Sequence, residues 1–111
     1  IIVHLITHNF LNEERFARSY ARGKFRIKKW GRYKITQGLK QHGLSDYIIE
    51  AGLEEIDEEE YMEVFEAIAE KKYNAINERN VYKAKAKLAN YLLYRGWEPE
   101  LVYEKVEEYY D

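Results

Sequence analysis

The sequence predicts an all-α protein built from tandem three-helix, helix-turn-helix-like repeats that stack into an elongated, curved molecule. Three observations predict it. A single proline, Pro99, occurs in 111 residues, so little in the chain forbids helix. Apolar side chains recur at intervals of three and four, the helical period. The pattern of residues 35–53 returns in residues 88–106 at a constant offset of 53: Ile35 falls on Leu88, Leu39 on Leu92, Gly43 on Gly96, and Ile48 and Ile49 on Leu101 and Val102. Phe16 and Tyr20 lie over Tyr61 and Phe65 at a shorter offset of 45, so the second unit carries about eight extra residues before its middle helix.

The elements follow from their punctuation. Residues 1–8 form a helical stub with Ile1, Ile2, Leu5 and Ile6 on one side. Asn12 is the N-cap expected for the next helix, with Glu13 and Glu14 in a first turn where the dipole favours anions and Phe16 and Tyr20 on one face. Gly31 interrupts the chain, Ile35 and Leu39 define a short helix, and Gly43 suits its C-terminal cap. Ser45 caps a helix that buries Ile48, Ile49 and Leu53. Asp57 and Glu60 have capping-box spacing ahead of a long helix bearing Tyr61, Val64, Phe65, Ile68 and Ile76. A further helix runs from about Arg79 to Arg95 with Leu88 and Leu92 inside, and Gly96 follows it. Pro99 opens the last helix, which carries Leu101, Val102 and Val106. The expected division is residues 1–9 as the end of a truncated first repeat, 10–56 as a three-helix repeat and 57–111 as a divergent one. Because the chain starts at Ile within helical sequence, an N-terminal segment is expected to precede it.

The formal net charge of −2 conceals blocks of opposite sign. From Arg15 to Ser45 there are ten Lys or Arg and no acid; residues 46–70 hold eleven acids and no Lys or Arg. Residues 71–95 hold seven bases against Glu78 alone, and residues 96–111 hold six acids and only Lys105. The absence of cysteine removes disulfides and thiolate chemistry and agrees with a cytoplasmic location. No apolar run approaches the roughly 20 residues of a membrane span, so no membrane partner is expected.

Enzyme chemistry finds no foothold. There is no Gly-rich phosphate loop, no nucleophile elbow and no ordered Ser–His–Asp set. His4 and His8 are four apart, a spacing that can hold a metal, but no Cys exists, His42 is remote and no carboxylate completes a motif. No catalytic residue, metal or cofactor is expected. The basic aromatic stretch remains: its aromatics, Phe16, Tyr20, Phe25 and Trp30, have the spacing of a small helical core, covered by Arg and Lys stems. Its cations lack i,i+4 acidic partners within the stretch, which points to an external anion, either phosphate or an acidic protein surface.

Residues 10–53, "FLNEERFARSYARGKFRIKKWGRYKITQGLKQHGLSDYIIEAGL", resemble the signature repeat of the RecX family, regulators of the recombinase RecA. The resemblance rests on the acidic start with Arg-Phe-Ala (Glu14 to Ala17), the basic helix, Trp30-Gly31, and then Ile35, Leu39 and Gly43. The second unit fits the family's more divergent last repeat, and Asn12 stands where an acidic residue is common. The resemblance implies a non-enzymatic regulator acting in DNA repair, recombination and the SOS response, and a monomer is expected. It would bind the RecA filament and the single-stranded DNA within it, and duplex DNA weakly, mainly inhibiting the recombinase. The expected partner- and DNA-binding residues are Arg18, Arg22, Lys24, Arg26, Lys28, Lys29, Arg32 and Lys34, extended by Lys83, Lys85 and Lys87. Glu13 and Glu14 are expected to cap their helix, Arg15 to pair with nearby acids, and Phe16, Trp30, Ile35 and Leu39 to be structural. Two rival functions are a helix-turn-helix-like DNA-binding module and a protein-interaction scaffold without DNA affinity.

Overall fold

The computed structural model describes residues 2–110, with side chains from residue 11 onward. Among these, the elements are α1 (Ile2–Gly23), a π-helical turn (Lys24–Lys28), α2 (Arg32–Gln41), α3 (Asp46–Leu53), α4 (Glu58–Ala75), α5 (Val81–Tyr94) and α6 (Pro99–Tyr110), with no strand. The molecule is elongated, 65 × 22 × 19 Å. Its radius of gyration of 17.2 Å exceeds the roughly 13 Å of a compact domain of this length.

One expected helix break is absent. The stub and the helix assigned to an Asn12 cap are one continuous α1, so Asn12 caps nothing and Glu13 and Glu14 lie within the helix. A capping residue starts a helix only where the preceding turn is broken, and no Gly or Pro stands before Asn12. The side chains of Ile1, Ile2, Leu5, Ile6, His4 and His8 lie outside the described residues. The other caps have a visible cause. The Ser45 hydroxyl accepts from the Ile48 N–H at 3.3 Å, Asp57 Oδ2 from Glu60 N–H at 3.0 Å, and Asn80 Oδ1 from Lys83 N–H at 3.1 Å. Asn80 therefore starts α5 at Val81, two residues beyond Arg79.

The repeated apolar positions are core. Ile35 and Leu39, like Leu88, Leu92 and Val102, are fully buried, Ile48, Ile49 and Val106 nearly so, and Leu101 is half-buried against them. Gly43 and Gly96 both adopt left-handed backbone, with φ of 78° and 93°. The register of the first helix differs from expectation in the first unit, whereas Tyr61 and Phe65 of the second are buried as expected. Phe16 is exposed and Tyr20 only half-buried, while Ala17, Ala21 and Phe25 are fully buried or nearly so. They correspond to Tyr61, Phe65 and Ala69 of α4, an offset of 44 (61 minus 17) rather than 45, with large and small side chains exchanged. Small residues let α3 lie close on α1: a Cβ at Gly52 would stand 2.9 Å from the Ala17 carbonyl carbon and oxygen. At the position 53 residues on, the second repeat has Lys105, which reaches Glu66 at 3.2 Å and Glu108 at 2.7 Å.

The two repeats meet end to end. An α-helix leaves its first N–H groups and last carbonyls without internal partners, and these ends carry opposite partial charges. At the start of α2, Gly31 N–H donates to the Arg95 carbonyl at 2.8 Å and Tyr33 N–H to the Gly96 carbonyl at 2.9 Å, both at the end of α5. The intervening Arg32 N–H donates to Tyr61 Oη at 2.9 Å. Three successive N–H groups of one repeat are thus satisfied by the other. Beneath them, Phe25, Tyr61, Trp97 and Phe65 form a chain of tilted rings, with centroids 5.7, 4.6 and 5.2 Å apart, inside one core that spans both repeats.

Candidate nucleic-acid and partner interface

The arginines and lysines of the basic stretch have different fates. Arg18 pairs with Glu14 at 3.0 Å, Glu55 at 3.4 Å and Glu54 at 3.6 Å, and Arg22 reaches Glu55 at 3.6 Å. Arg26 reaches Glu60 at 3.4 Å, and Arg32 binds Glu98 at 3.0 Å and also Glu58. The expectation that these cations lack carboxylate partners therefore fails: Glu14 lies one turn before Arg18, just outside the basic stretch, and the other acids come from the turn after α3, from α4 and from the turn before α6, beyond any i,i+4 rule. The Glu14 hydrogen bond, above all, raises the Arg18 pKa above the ordinary guanidinium value. A planar guanidinium suits such multidentate pairing, whereas an ammonium is a more hydrated point charge. Among the described residues from Arg15 to Ser45, the cations without a carboxylate partner are Arg15, Lys24, Lys28, Lys29, Lys34 and Lys40, five of them lysines. Arg15, expected to pair, instead lines a shallow hollow with Leu11, Glu14 and Arg18.

Two of those lysines build a ladder with aromatic rings. Lys24 Nζ lies 5.4 Å from the Tyr20 ring centroid and 5.0 Å from that of Trp30. Lys34 Nζ lies 4.8 Å from the Trp30 centroid and 4.4 Å from that of Tyr94. The order Tyr20, Lys24, Trp30, Lys34, Tyr94 alternates ring and cation and crosses from the first repeat to α5 of the second. Its ends differ in burial: Tyr20 is half-buried against Gly38, and Tyr94 is 79% exposed. Trp30, expected as a structural residue, is half-buried against the core yet also forms the centre of this ladder. Phe16, also expected in the core, packs edge-on to His42 at 5.0 Å on the surface. It lost the core position because Ala17 faces inward.

The second-repeat lysines divide similarly. Lys85 pairs with Glu107 at 3.6 Å and Lys87 with Glu78 at 3.2 Å, while Lys83 is exposed and has no carboxylate partner among the described residues. The structure also brings forward residues not singled out from sequence. Lys71, Tyr91 and Arg95 surround a hollow with Lys29, and Tyr94 completes the ladder. Their basic members belong to the seven-base block of residues 71–95, the one signal that bore on them.

Arg32 holds the repeats together. Its guanidinium lies 4.0 Å from the Tyr61 centroid, and Tyr61 Oη, which accepts from the Arg32 N–H, donates to Glu98. Burial works against the Arg32 charge, but hydrogen bonds to Glu58 and Glu98 more than offset it, so its pKa is raised. Burial, then the hydrogen bond to Glu98, raises the Tyr61 pKa well above its ordinary value of 10.0. The folded state thus retains a proton that the unfolded state releases above about pH 10. This stability is full below that pH and is lost as pH rises toward the folded value, by at most about 1.4 kcal/mol per unit. Tyr61→Phe is expected to flatten the fall of urea-unfolding stability between about pH 10 and 11.5 relative to the parent. An unchanged slope would remove Tyr61 from the alkaline transition.

Comparison with known proteins then places the chain. Residues 12–53 match the family model described as "RecX, second three-helix domain", and residues 58–106 match "RecX, third three-helix domain". The chain belongs to the RecX family. It is 36% identical over 112 residues to "Regulatory protein RecX" of Clostridium acetobutylicum, covering 97% of this chain and 51% of that protein. The namesake from Clostridium perfringens (strain 13) is 36% identical over 99 residues, covering 87% and 46%, and that from Serratia proteamaculans 34% over 97 residues, covering 87% and 56%. The chain therefore spans about half the length of these RecX relatives. No solved structure matches. The relatives are named as regulatory proteins, which points to a non-enzyme, and no helix among the described residues is long and apolar enough to cross a membrane.

Proposed function

We propose that this chain is the part of a RecX regulatory protein that seats on the RecA–single-stranded DNA filament and restrains the recombinase in DNA repair and recombination. The observation that carries the proposal is the ring-and-cation ladder from Tyr20 to Tyr94. Single-stranded nucleic acid presents bases that stack on aromatic faces and phosphates that attract unpaired ammonium groups, and the ladder alternates both. An elongated body 65 Å long and about 20 Å across suits a filament groove better than a compact globule of the same mass. The binding set narrows accordingly. Lys24, Lys28, Lys29 and Lys34 carry it, while Arg18, Arg22, Arg26 and Arg32 serve first to join helices.

A helix-turn-helix module reading duplex DNA is less well supported. In such modules the helix after the turn enters the groove, and here that helix, α3 or α6, carries Asp46 and Glu50 with Glu54 at its C-cap, or Glu100, Glu104 and Glu107. The test is the ATPase rate of RecA on single-stranded DNA as this chain, and separately the full-length protein, is titrated in. A progressive fall in rate is expected. A rate unmoved by either protein would overturn the proposal.

A further inference from the structure

We infer that the hollow lined by Lys29, Ala67, Ile68, Lys71, Tyr91 and Arg95 is a second anion site, shaped for a phosphodiester of a nucleic-acid strand. The inference rests on the nucleic-acid reading above and adds a site to it. The hollow, about 240 Å³, lies where the turn after the π-helical segment approaches α4 and α5, and none of its lining residues is acidic. Lys29 and Lys71 are exposed and have no carboxylate partner among the described residues. Arg95 is fixed in place: its Nε donates to Tyr91 Oη at 3.1 Å and its Nη1 to the Lys28 carbonyl at 3.3 Å. Lys72, outside the lining, lies over the Tyr91 ring with its Nζ 4.8 Å from the centroid. Ala67, Ile68 and the Tyr91 ring give the hollow an apolar side, which a sugar can cover while its phosphate meets the cations.

The backbone supplies an independent pointer. Lys29 has φ 60°, and among the described residues it is the one non-glycine with positive φ. At its two other left-handed turns the chain uses Gly43 and Gly96. A lysine there is less stable than glycine by roughly 1 kcal/mol or somewhat more. Strain kept at a position where glycine would relieve it indicates a use for the side chain, and here that side chain borders the hollow. The site adjoins the ladder in sequence at both edges, since Lys29 precedes Trp30 and Arg95 follows Tyr94.

Lys29→Gly separates stability from binding. The variant is expected to unfold at higher urea than the parent, and to bind a fluorescent oligothymidylate about three- to tenfold more weakly at low salt, with the salt slope reduced by about 0.7 for one lost phosphate contact. Lys71→Gln, at an exposed site, should show the same loss without the gain in stability. Free inorganic pyrophosphate serves as a separate arm: shifts of the Lys29 and Lys71 amide signals at millimolar pyrophosphate but not with oligothymidylate would assign the hollow to a free phosphate instead. Unchanged oligothymidylate affinity and slope in both variants, with ladder variants still weakened, would overturn this site and leave the ladder standing. No salt-dependent binding by the parent would overturn both, and would favour an acidic protein partner.

Discussion

Gly96→Ala is expected to destabilise the protein by about 3 kcal/mol, while Gly43→Ala at the repeat-equivalent position costs about 1 kcal/mol. Both glycines have left-handed backbone, where a Cβ costs roughly 1–2 kcal/mol. Gly43 has open space around it, so that cost is the whole effect. At Gly96 the new Cβ would stand 2.9 Å from the Lys34 Cα and closer still to the Lys34 backbone nitrogen. These are backbone atoms of α2, which cannot swing aside as the tip of a side chain can. Overpacking adds about 1–3 kcal/mol. Relief requires α2 to withdraw from α5, which breaks the Gly31-to-Arg95 and Tyr33-to-Gly96 hydrogen bonds and exposes the Arg32–Glu98–Tyr61 junction. Urea unfolding followed by circular dichroism and by Trp fluorescence checks this, because Trp30 and Trp97 flank the junction. Separate transitions for the two probes would show uncoupled repeats. Equal destabilisation by the two variants would mean that the end-to-end docking of the repeats contributes nothing to stability.

The contrast between these glycines also marks what sequence alone made legible. Both were placed at helix ends by the repeat, together with Ile35, Leu39, Leu88 and Leu92, because burial along a helix leaves a spacing that does not depend on the neighbouring repeat. What differs between them is the partner across the junction, and no local spacing encodes that. The long-range ion pairs were hidden for the same reason: Arg18 meets Glu55 across 37 positions and Arg32 meets Glu98 across 66, whereas Glu14, four residues before Arg18, is a local partner. The rule that judged these cations unpaired sees only i,i+4 neighbours. The α1 register lies one residue from the position that large rings at Phe16 and Tyr20 imply. Ala17 and Ala21 hold the core positions so that α3 can approach, and Phe16 and Tyr20 move outward. Asn12 failed as a boundary because capping chemistry is permissive, while helix ends need a break as well. Lys24 and Lys34 were legible as cations, but their place between rings depends on the junction that brings Tyr94 to Lys34.

That arrangement sets the last expectation, in which charge and stacking separate. The double variant Lys24→Gln, Lys34→Gln is expected to weaken oligothymidylate binding by about a hundredfold at low salt, near 2.7 kcal/mol. Two phosphate contacts are lost, so the logarithmic salt slope should shrink by about 1.4. Tyr94→Ala removes one stacking face, worth roughly 1–3 kcal/mol, and should leave the salt slope unchanged because no cation is lost. Tyr94 is largely exposed, so its truncation leaves the core intact. Isotherms across a salt series check both variants on one plot. A nucleic-acid strand lying along the ladder requires the two signatures together: a changed slope for the lysines and a displaced parallel line for the tyrosine. An acidic protein surface lying along the ladder would instead leave the oligothymidylate isotherms of both variants superimposed on that of the parent. The arginines provide the internal control, since Arg22→Gln removes a cation already paired with Glu55 and should change the slope less than either lysine.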